Sequence, residues 1–195
     1  MITDRLRKQM EFMLEIDKLK NITRQTYIIN EHRKENDAEH SWHIAVLAFL
    51  LAEYADPAID VTRVMKMLLL HDIVEIDAGD TYCYYEEGYK SKPQREENAA
   101  RRIFGILPED QAKEFYSLWR EFEDGITPEA KFAAVLDRIQ PLTLNYAKDG
   151  VSWIEHGVHA HQVEQRNKAN SEASPQLAEL IQSMISDASR RGLLK

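Results

Sequence analysis

The chain contains little cysteine, glycine and proline. Its 195 residues include one cysteine, Cys83, with seven glycines and six prolines. A single cysteine excludes a disulfide framework within the chain and indicates a reducing compartment. Few glycines and prolines, beside many strong helix formers, favour helical structure.

Long hydrophobic runs and an excess of basic residues are also missing. The longest apolar run, 44–52, is far shorter than the ~20 residues of a membrane-spanning helix. The opening MITDRLRKQM lacks the apolar core of a signal peptide. A net charge of -8 argues against binding to polymeric nucleic acid, although a local arginine could still hold a nucleotide. We therefore expect one cytoplasmic domain over residues 1–195, without membrane contact.

Apolar residues recur at spacings of three and four, which predicts a bundle of amphipathic helices. The predicted helices cover approximately 3–20, 38–55, 61–78, 93–105, 108–125, 128–141 and 175–191. Asp37 is expected to cap the second helix, Pro108 to occupy a first helical position, and Pro141 to kink or end its helix. Residues 21–35 are expected to be irregular, and no segment has a strand pattern. The predicted fold class is all-α.

One stretch concentrates the ionisable groups. In LLLHDIVEIDAGDTYCYY, 68–85, three leucines lead into five such residues: His71, Asp72, Glu75, Asp77 and Asp80. Burying an unpaired carboxylate costs several kcal/mol, roughly. These groups must therefore pair with one another or surround a cation. Asp77 is expected to be solvated or a local cap.

Four residues are candidate metal ligands: His40, His71, Asp72 and Asp137. Two imidazoles and two carboxylates suit a divalent first-row metal such as Mn, Fe, Co, Ni or Zn. Such an ion could lower the pKa of a water molecule and polarise a phosphoryl oxygen. A single histidine on an apolar helix face is more often a hydrogen-bonded core residue, so composition alone leaves both interpretations open.

Other residues have weaker patterns. His43 is expected to be a packed or exposed helix residue, with support of a metal ligand as the alternative. Three late histidines could bind metal weakly if two of them share a helix face: His156, His159 and His161. The tyrosines at 82, 84 and 85 could line a base pocket or cover the edge of the core.

The order His40, His71-Asp72, Asp137 resembles the H…HD…D pattern of the HD-domain metal-dependent phosphohydrolases. ENDAEHSWHIA, 35–45, is similar to the E-N-x-x-E-H-S segment of the 5′-deoxynucleotidase branch. HDIVEIDAGD, 71–80, is similar to that branch's H-D-x-x-E-x-x-x-G-D. The resemblance covers approximately 22–137 and implies an HD-domain helical bundle.

The resemblance also implies a metal-dependent phosphomonoesterase acting on nucleoside or deoxyribonucleoside 5′-monophosphates. The four candidate ligands would hold one divalent metal ion per chain. Glu75 would position or deprotonate the attacking water, and Asp80 would be the second acid–base group. Arg24 would bind the substrate phosphate, because its planar fork matches phosphate oxygens.

The chain departs from the branch pattern near that arginine. Gln25 stands where the branch has tryptophan, and the segment carries one extra residue before Glu35. Arg33 and Lys34 are therefore rival phosphate contacts, with a solvated run of charges as the alternative interpretation. The branch also implies a homodimer, and the apolar faces of 109–124 and 175–191 are candidates for its interface.

Three alternatives stay open at this point. The chain could hydrolyse another phosphate ester, such as a nucleoside triphosphate or a cyclic nucleotide, or it could be a non-catalytic metal- or nucleotide-binding sensor. The weakest is a structural helical protein with a buried His-Asp pair. No histidine lies between Asp72 and Asp137, which favours one metal over two. The carboxylates at 75 and 80 favour an enzyme over a sensor.

Overall fold

The computed structural model describes residues 2–195 as a bundle of helices with one small sheet. The helices are α1 Asp4–Ile16, α2 Asp37–Leu50, α3 Val61–Leu70, α4 Glu75–Ala78, α5 Glu86–Tyr89, α6 Lys92–Phe104, α7 Glu109–Asp124, α8 Pro128–Ala147, α9 Val151–His156, α10 Ala160–Asn167 and α11 Pro175–Arg190. Short 3-10 turns occupy Asp17–Asn21, Ala52–Tyr54, His71–Val74 and Lys168–Glu172. The predicted all-α class is therefore confirmed.

Helix α8 is the centre of the larger apolar cluster. Its Phe132 and Leu136 are fully buried against Ile44 of α2, Leu68 of α3 and Ile181 of α11. A second cluster joins α3, α6 and α7. Because α3 contributes to both clusters, the residues directly after it lie where the two halves of the core meet.

Residues 23–36 form a β-hairpin, so the expectation of irregular structure there was wrong. Strand β1, Thr23–Tyr27, pairs antiparallel with β2, Lys34–Asn36. Its sequence TRQTY lacks the apolar alternation by which strands are recognised. Tertiary contacts stabilise it instead: the ammonium of Lys148, at the end of α8, donates to the carbonyls of Ile28 and Ile29 at 2.7 and 3.1 Å.

Helix starts follow cap chemistry. Asp60, Thr127 and Ser174 each accept a backbone N–H as N-caps, as the sequence indicates. For α2 the prediction was wrong: Asn36 is the N-cap and forms a reciprocal capping box with Glu39. The predicted cap is instead the first helical residue.

Two prolines also behave differently from the prediction. Pro108 is the N-cap of α7, one position earlier than expected. Pro141 does not end α8, which continues to Ala147. Proline removes one backbone hydrogen bond, but Leu142 and Leu144 are buried beyond it and favour continued helix. The Asn145 side chain also donates to the Pro141 carbonyl at 2.9 Å.

The apolar faces of α7 and α11 lie largely in the core. Leu118 and Trp119 of α7 are buried, as are three residues of α11: Leu177, Ile181 and Ile185. Large exposed apolar side chains lie on α2, at Trp42, Phe49 and Leu50, and on α1, at Leu6, Met10, Met13 and Leu14. No helix within 2–195 is long and apolar enough to cross a membrane.

Candidate metal centre and active site

The structure brings the four candidate ligands together. His40 lies on α2, His71 and Asp72 lie on the turn after α3, and Asp137 lies on α8. His40 Nε2 lies 3.1 Å from Asp137 Oδ1, and His71 Nε2 lies 3.7 Å from the same oxygen. His71 Nε2 lies 3.0 Å from Asp72 Oδ1. Both rings are buried, because α2 and α3 carry them inward beside Ile44 and Leu68.

Both imidazole rings have their second nitrogen fixed. His71 Nδ1 donates to the Leu68 carbonyl at 2.9 Å, and His40 Nδ1 lies 2.9 Å from the amide oxygen of Gln140. A neutral ring held in this way has a lone pair on Nε2. The lone pair on each Nε2 therefore faces carboxylate oxygens, which are also acceptors.

This donor set fits a divalent metal ion. Two acceptors that face each other across 3–4 Å need a cation between them. One donor atom from each of His40, His71 and Asp72 lies within 4.8 Å of the others. His71 Nε2 is buried and forms no well-aligned hydrogen bond with any residue of 2–195. Bonds of ~2 Å from nitrogen and oxygen to zinc-like ions match this spacing.

Without a metal, the cluster holds a proton on His71. Burial would lower the pKa of this ring, but Asp72 and Asp137 outweigh it and raise the pKa to about 10. Burial and the nearby Arg24 lower the pKa of His40. Burial opposes ionisation of Asp137, yet the two imidazole rings beside it hold its pKa well below the usual range.

Next to the candidate ligands, several carboxyl groups surround the guanidinium of Arg24. Arg24, from β1, donates to Asp72 Oδ2 at 2.7 Å and to Asp37 Oδ1 at 3.3 Å. Asp37 is fully buried and lies close to Glu75, which is also buried. Sequence reasoning missed Asp37 because its position favoured a helix cap. Its burial could be found only from the packing of β1 against α2.

Burial changes the protonation of these carboxyl groups. It raises the pKa of Asp37 to about 7, with the neighbouring Asp72 adding to the effect. Burial and Asp72 also raise the pKa of Glu75 well above its ordinary value. The pKa of Asp80 is raised chiefly by burial. Burial therefore favours the protonated forms of Glu75 and Asp80 more than water does, which suits groups that exchange protons.

A cavity opens beside these groups. Ionisable residues in its lining are Arg24, His71, Asp72, Glu75, Asp80 and Asp137. Aromatic and apolar residues also form part of its wall: Tyr82, Tyr84, Pro141, Leu142 and Trp153. Arg138 and Arg166 also line it, and neither was singled out from the sequence. Arg166 lies on α10, which was not predicted, and no local motif marks Arg138 on α8.

The rival phosphate contacts are engaged elsewhere. Arg33 grips the Glu39 carboxylate with two bonds of 2.6 and 2.8 Å. Lys34 donates to the side-chain oxygen of Gln25 at 2.6 Å. Neither of these two basic residues lines the cavity, whereas Arg24 does.

The remaining candidates take structural positions. His156 ends α9 and His159 precedes α10, so they do not share a helix face as the weak metal-site hypothesis required. His43 contacts the amide nitrogen of Gln140 at 3.1 Å. Asp77 pairs with Arg102 on the surface. Tyr85 is exposed, unlike the two tyrosines that line the cavity.

Comparison with known proteins identifies the family. The sequence pattern that defines the HD domain matches residues 16–178. The chain belongs to the HD-domain family. This membership confirms the predicted HD-domain bundle and agrees with the His and Asp cluster.

Individual relatives of this HD-domain chain carry more specific names. Human 5′-deoxynucleotidase HDDC2 is 32% identical over 135 residues, 69% of this chain and 65% of that protein. The chain thus spans slightly less than two thirds of that relative's length. The Dictyostelium discoideum protein of that name is 27% identical over 168 residues, 83% of this chain and 84% of the relative. A crystal structure of a predicted metal-dependent phosphohydrolase from Magnetospirillum magnetotacticum superposes with a TM-score of 0.93. It has 49% identity and covers 98% of this chain and 99% of that one.

Proposed function

We propose that this protein is a metal-dependent phosphomonoesterase that releases phosphate from nucleoside 5′-monophosphates, including deoxyribonucleotides. The observation that carries the proposal is the buried imidazole–carboxylate cluster, which shares one cavity with Arg24 and Glu75. Relatives named 5′-deoxynucleotidase support the substrate class.

Four residues would hold one divalent ion: His40, His71, Asp72 and Asp137. Their nitrogen and oxygen donors suit Mn, Co, Zn, Fe or Ni. When bound, the ion would polarise the phosphoryl group and lower the pKa of a water molecule. The chain's own residues would then supply binding, orientation and proton transfer.

Arg24 would hold the phosphate. Its guanidinium lies at the cavity wall, 2.7 Å from Asp72, so it is fixed beside the metal ligands. A guanidinium can donate two parallel hydrogen bonds to phosphate oxygens and offset their charge. This contact would place phosphorus in line with the attacking water.

Glu75 and Asp80 would move protons. Glu75 would accept a proton from the water as the oxygen of the water bonds to phosphorus. Asp80 would give a proton to the 5′ oxygen as the bond from phosphorus to that oxygen breaks. The raised pKa values of both carboxyl groups suit this exchange.

The nucleoside would lie against the aromatic wall. Tyr82 and Tyr84 meet edge-to-face at 5.3 Å, and Trp153 lies on the same side of the cavity. A base can stack on such side chains with little sequence preference. The cavity thus offers both aromatic and ionisable side chains, as a nucleotide with one charged end requires.

The role of Glu75 is tested by substitution. Glu75→Gln keeps the shape but cannot accept the water proton, so we expect phosphate release to fall ~10²–10⁴-fold. Metal content should be unchanged. Asp77→Asn is a matched control, because Asp77 pairs with Arg102 outside the cavity. Near wild-type turnover in Glu75→Gln would reject the assigned mechanism. Tight nucleotide binding without turnover under any metal would favour a sensor.

We also propose a homodimer formed through α2. Trp42, Phe49 and Leu50 expose 65%, 57% and 59% of their surface on that helix. Exposed apolar patches of this kind mark protein–protein contacts. A second copy of the chain would cover this face, away from the cavity lining.

Three further assignments, of domain, compartment and partner, complete the proposal. Residues 1–195 would form one domain, because α3 contributes buried residues to both apolar clusters. The protein would work in the cytoplasm, where a lone half-buried cysteine stays reduced. A small nucleotide would be its substrate, without a polymeric nucleic acid or a membrane as partner.

A further inference from the structure

Behind His40, away from the cavity, lies a buried side-chain network. Gln140 is 2% exposed and follows Asp137 by one helical turn on α8. Its Oε1 lies 2.9 Å from His40 Nδ1, and its Nε2 donates to Glu35 Oε1 at 2.7 Å. The same nitrogen lies 3.1 Å from His43 Nδ1.

Glu35 determines which way the amide points. Above its pKa the Glu35 carboxyl group is ionised and only accepts hydrogen bonds, so the amide nitrogen of Gln140 faces it. The reversed amide would set its oxygen against the carboxylate and leave two buried acceptors opposed, which is unfavourable. The amide oxygen is therefore directed at His40.

The amide in turn determines the tautomer of His40. An amide oxygen only accepts, so His40 must donate from Nδ1. A neutral ring protonated at Nδ1 carries its lone pair on Nε2, the atom that lies 3.1 Å from Asp137. The opposite tautomer would leave Nδ1 against the amide oxygen, with no proton between them.

We propose that Gln140, oriented by Glu35, is a positioning residue that fixes His40 in its Nδ1–H form and thereby sets the affinity for the metal ion. This inference rests on the metal site of the proposed function. Gln140 does not line the cavity, and its side chain reaches the proposed ligand His40 through a direct contact of 2.9 Å. Partners of metal-bound histidines typically contribute 10–100-fold to affinity.

Metal titration tests the inference. Competition with a chelator measures the affinity of the full chain for Zn²⁺ or Co²⁺. We expect Gln140→Leu to bind ~10–100-fold more weakly than wild type. Gln111→Leu is the control, because this glutamine accepts from Gln9 far from the site. The exchange E35Q/Q140E keeps an acceptor at His40 and a hydrogen bond to position 35, so it should regain most of the lost affinity.

Nitrogen chemical shifts of the imidazole rings give a readout that needs no variant. We expect His40 to be protonated at Nδ1 in the wild-type chain loaded with Zn²⁺. Protonation at Nε2 would overturn the inference, as would equal affinity in Gln140→Leu or an exchange variant as weak as Gln140→Leu. A wild-type chain that binds no metal would overturn the proposed function, and with it this inference.

Discussion

Glu35 has a buried carboxyl group close to the imidazole ring of His40, which must stay neutral. Its pKa is raised to about 7, chiefly by burial, against about 4.3 in an unfolded chain. The folded state therefore binds its proton more tightly, and ionisation destabilises the fold as pH rises between these values. This group makes the stability of the metal-free protein pH-dependent.

Replacing Glu35 removes that dependence. In metal-free protein we expect Glu35→Gln to gain stability relative to wild type between pH 4.5 and 7.5, by up to about 3 kcal/mol. Urea unfolding at several pH values measures the difference. Glu39→Gln should instead lose stability by an amount that is nearly constant above pH 4.5 and shrinks below it, because hydrogen bonds from Arg33 lower the pKa of Glu39. A difference for Glu35→Gln that is independent of pH would refute the assigned shift.

Among individual residues, the sequence predicts those that belong to a motif. The order of His40, His71-Asp72 and Asp137 carries the resemblance, and these side chains do meet. Asp37 and Gln140 escaped prediction for a physical reason. Their importance comes from burial and from partners about a hundred residues away or on another element, which no local spacing encodes.

Among the elements, the start of α2 supports His40. The Asn36 side chain accepts from the Glu39 N–H at 2.9 Å, and Glu39 returns a bond of 3.1 Å. Asn36→Ala should lower the free energy of unfolding by about 1 kcal/mol. Denaturant unfolding measures this, with Asn30→Ala in the exposed hairpin loop as the control. An equal loss in both variants would contradict the cap.

The β-hairpin depends on the end of α8. Lys148→Met removes the ammonium that donates to the carbonyls of residues 28, 29 and 31. We expect faster amide exchange in 23–36 and a raised KM, because Arg24 lies on this hairpin. Lys131→Met, on the same helix, removes a surface pair with Glu172 and should change neither. Unchanged exchange in the first variant would show that Lys148 does not hold the hairpin.

Elements were predictable where their causes are local. Caps at Asp60, Thr127 and Ser174 act within three residues, and the sequence indicates them correctly. The hairpin and the continuation of α8 past Pro141 have tertiary causes. Lys148 stabilises the first and buried leucines stabilise the second, so neither could be inferred from its own segment.

For the whole molecule, the exposed side chains of α2 lead to a prediction about assembly. We expect sedimentation to give a dimer and Phe49→Glu to give a monomer, because a buried charge without a partner opposes association. Leu180→Glu on α11 should leave the dimer intact, since the apolar face of that helix is mostly in the core. A dimer lost in Leu180→Glu but kept in Phe49→Glu would place the interface on α11.

Phosphate release measures catalysis by the assembled site. The full chain is stripped with a chelator, reloaded with Mn²⁺ or Co²⁺, and assayed on ribo- and deoxyribonucleoside 5′-monophosphates, 3′-monophosphates, triphosphates and a cyclic nucleotide. We expect phosphate release from 5′-monophosphates that needs the added metal and is lost in Glu75→Gln. Turnover confined to the triphosphates or the cyclic nucleotide, or turnover unaffected by removal of the metal, would contradict it.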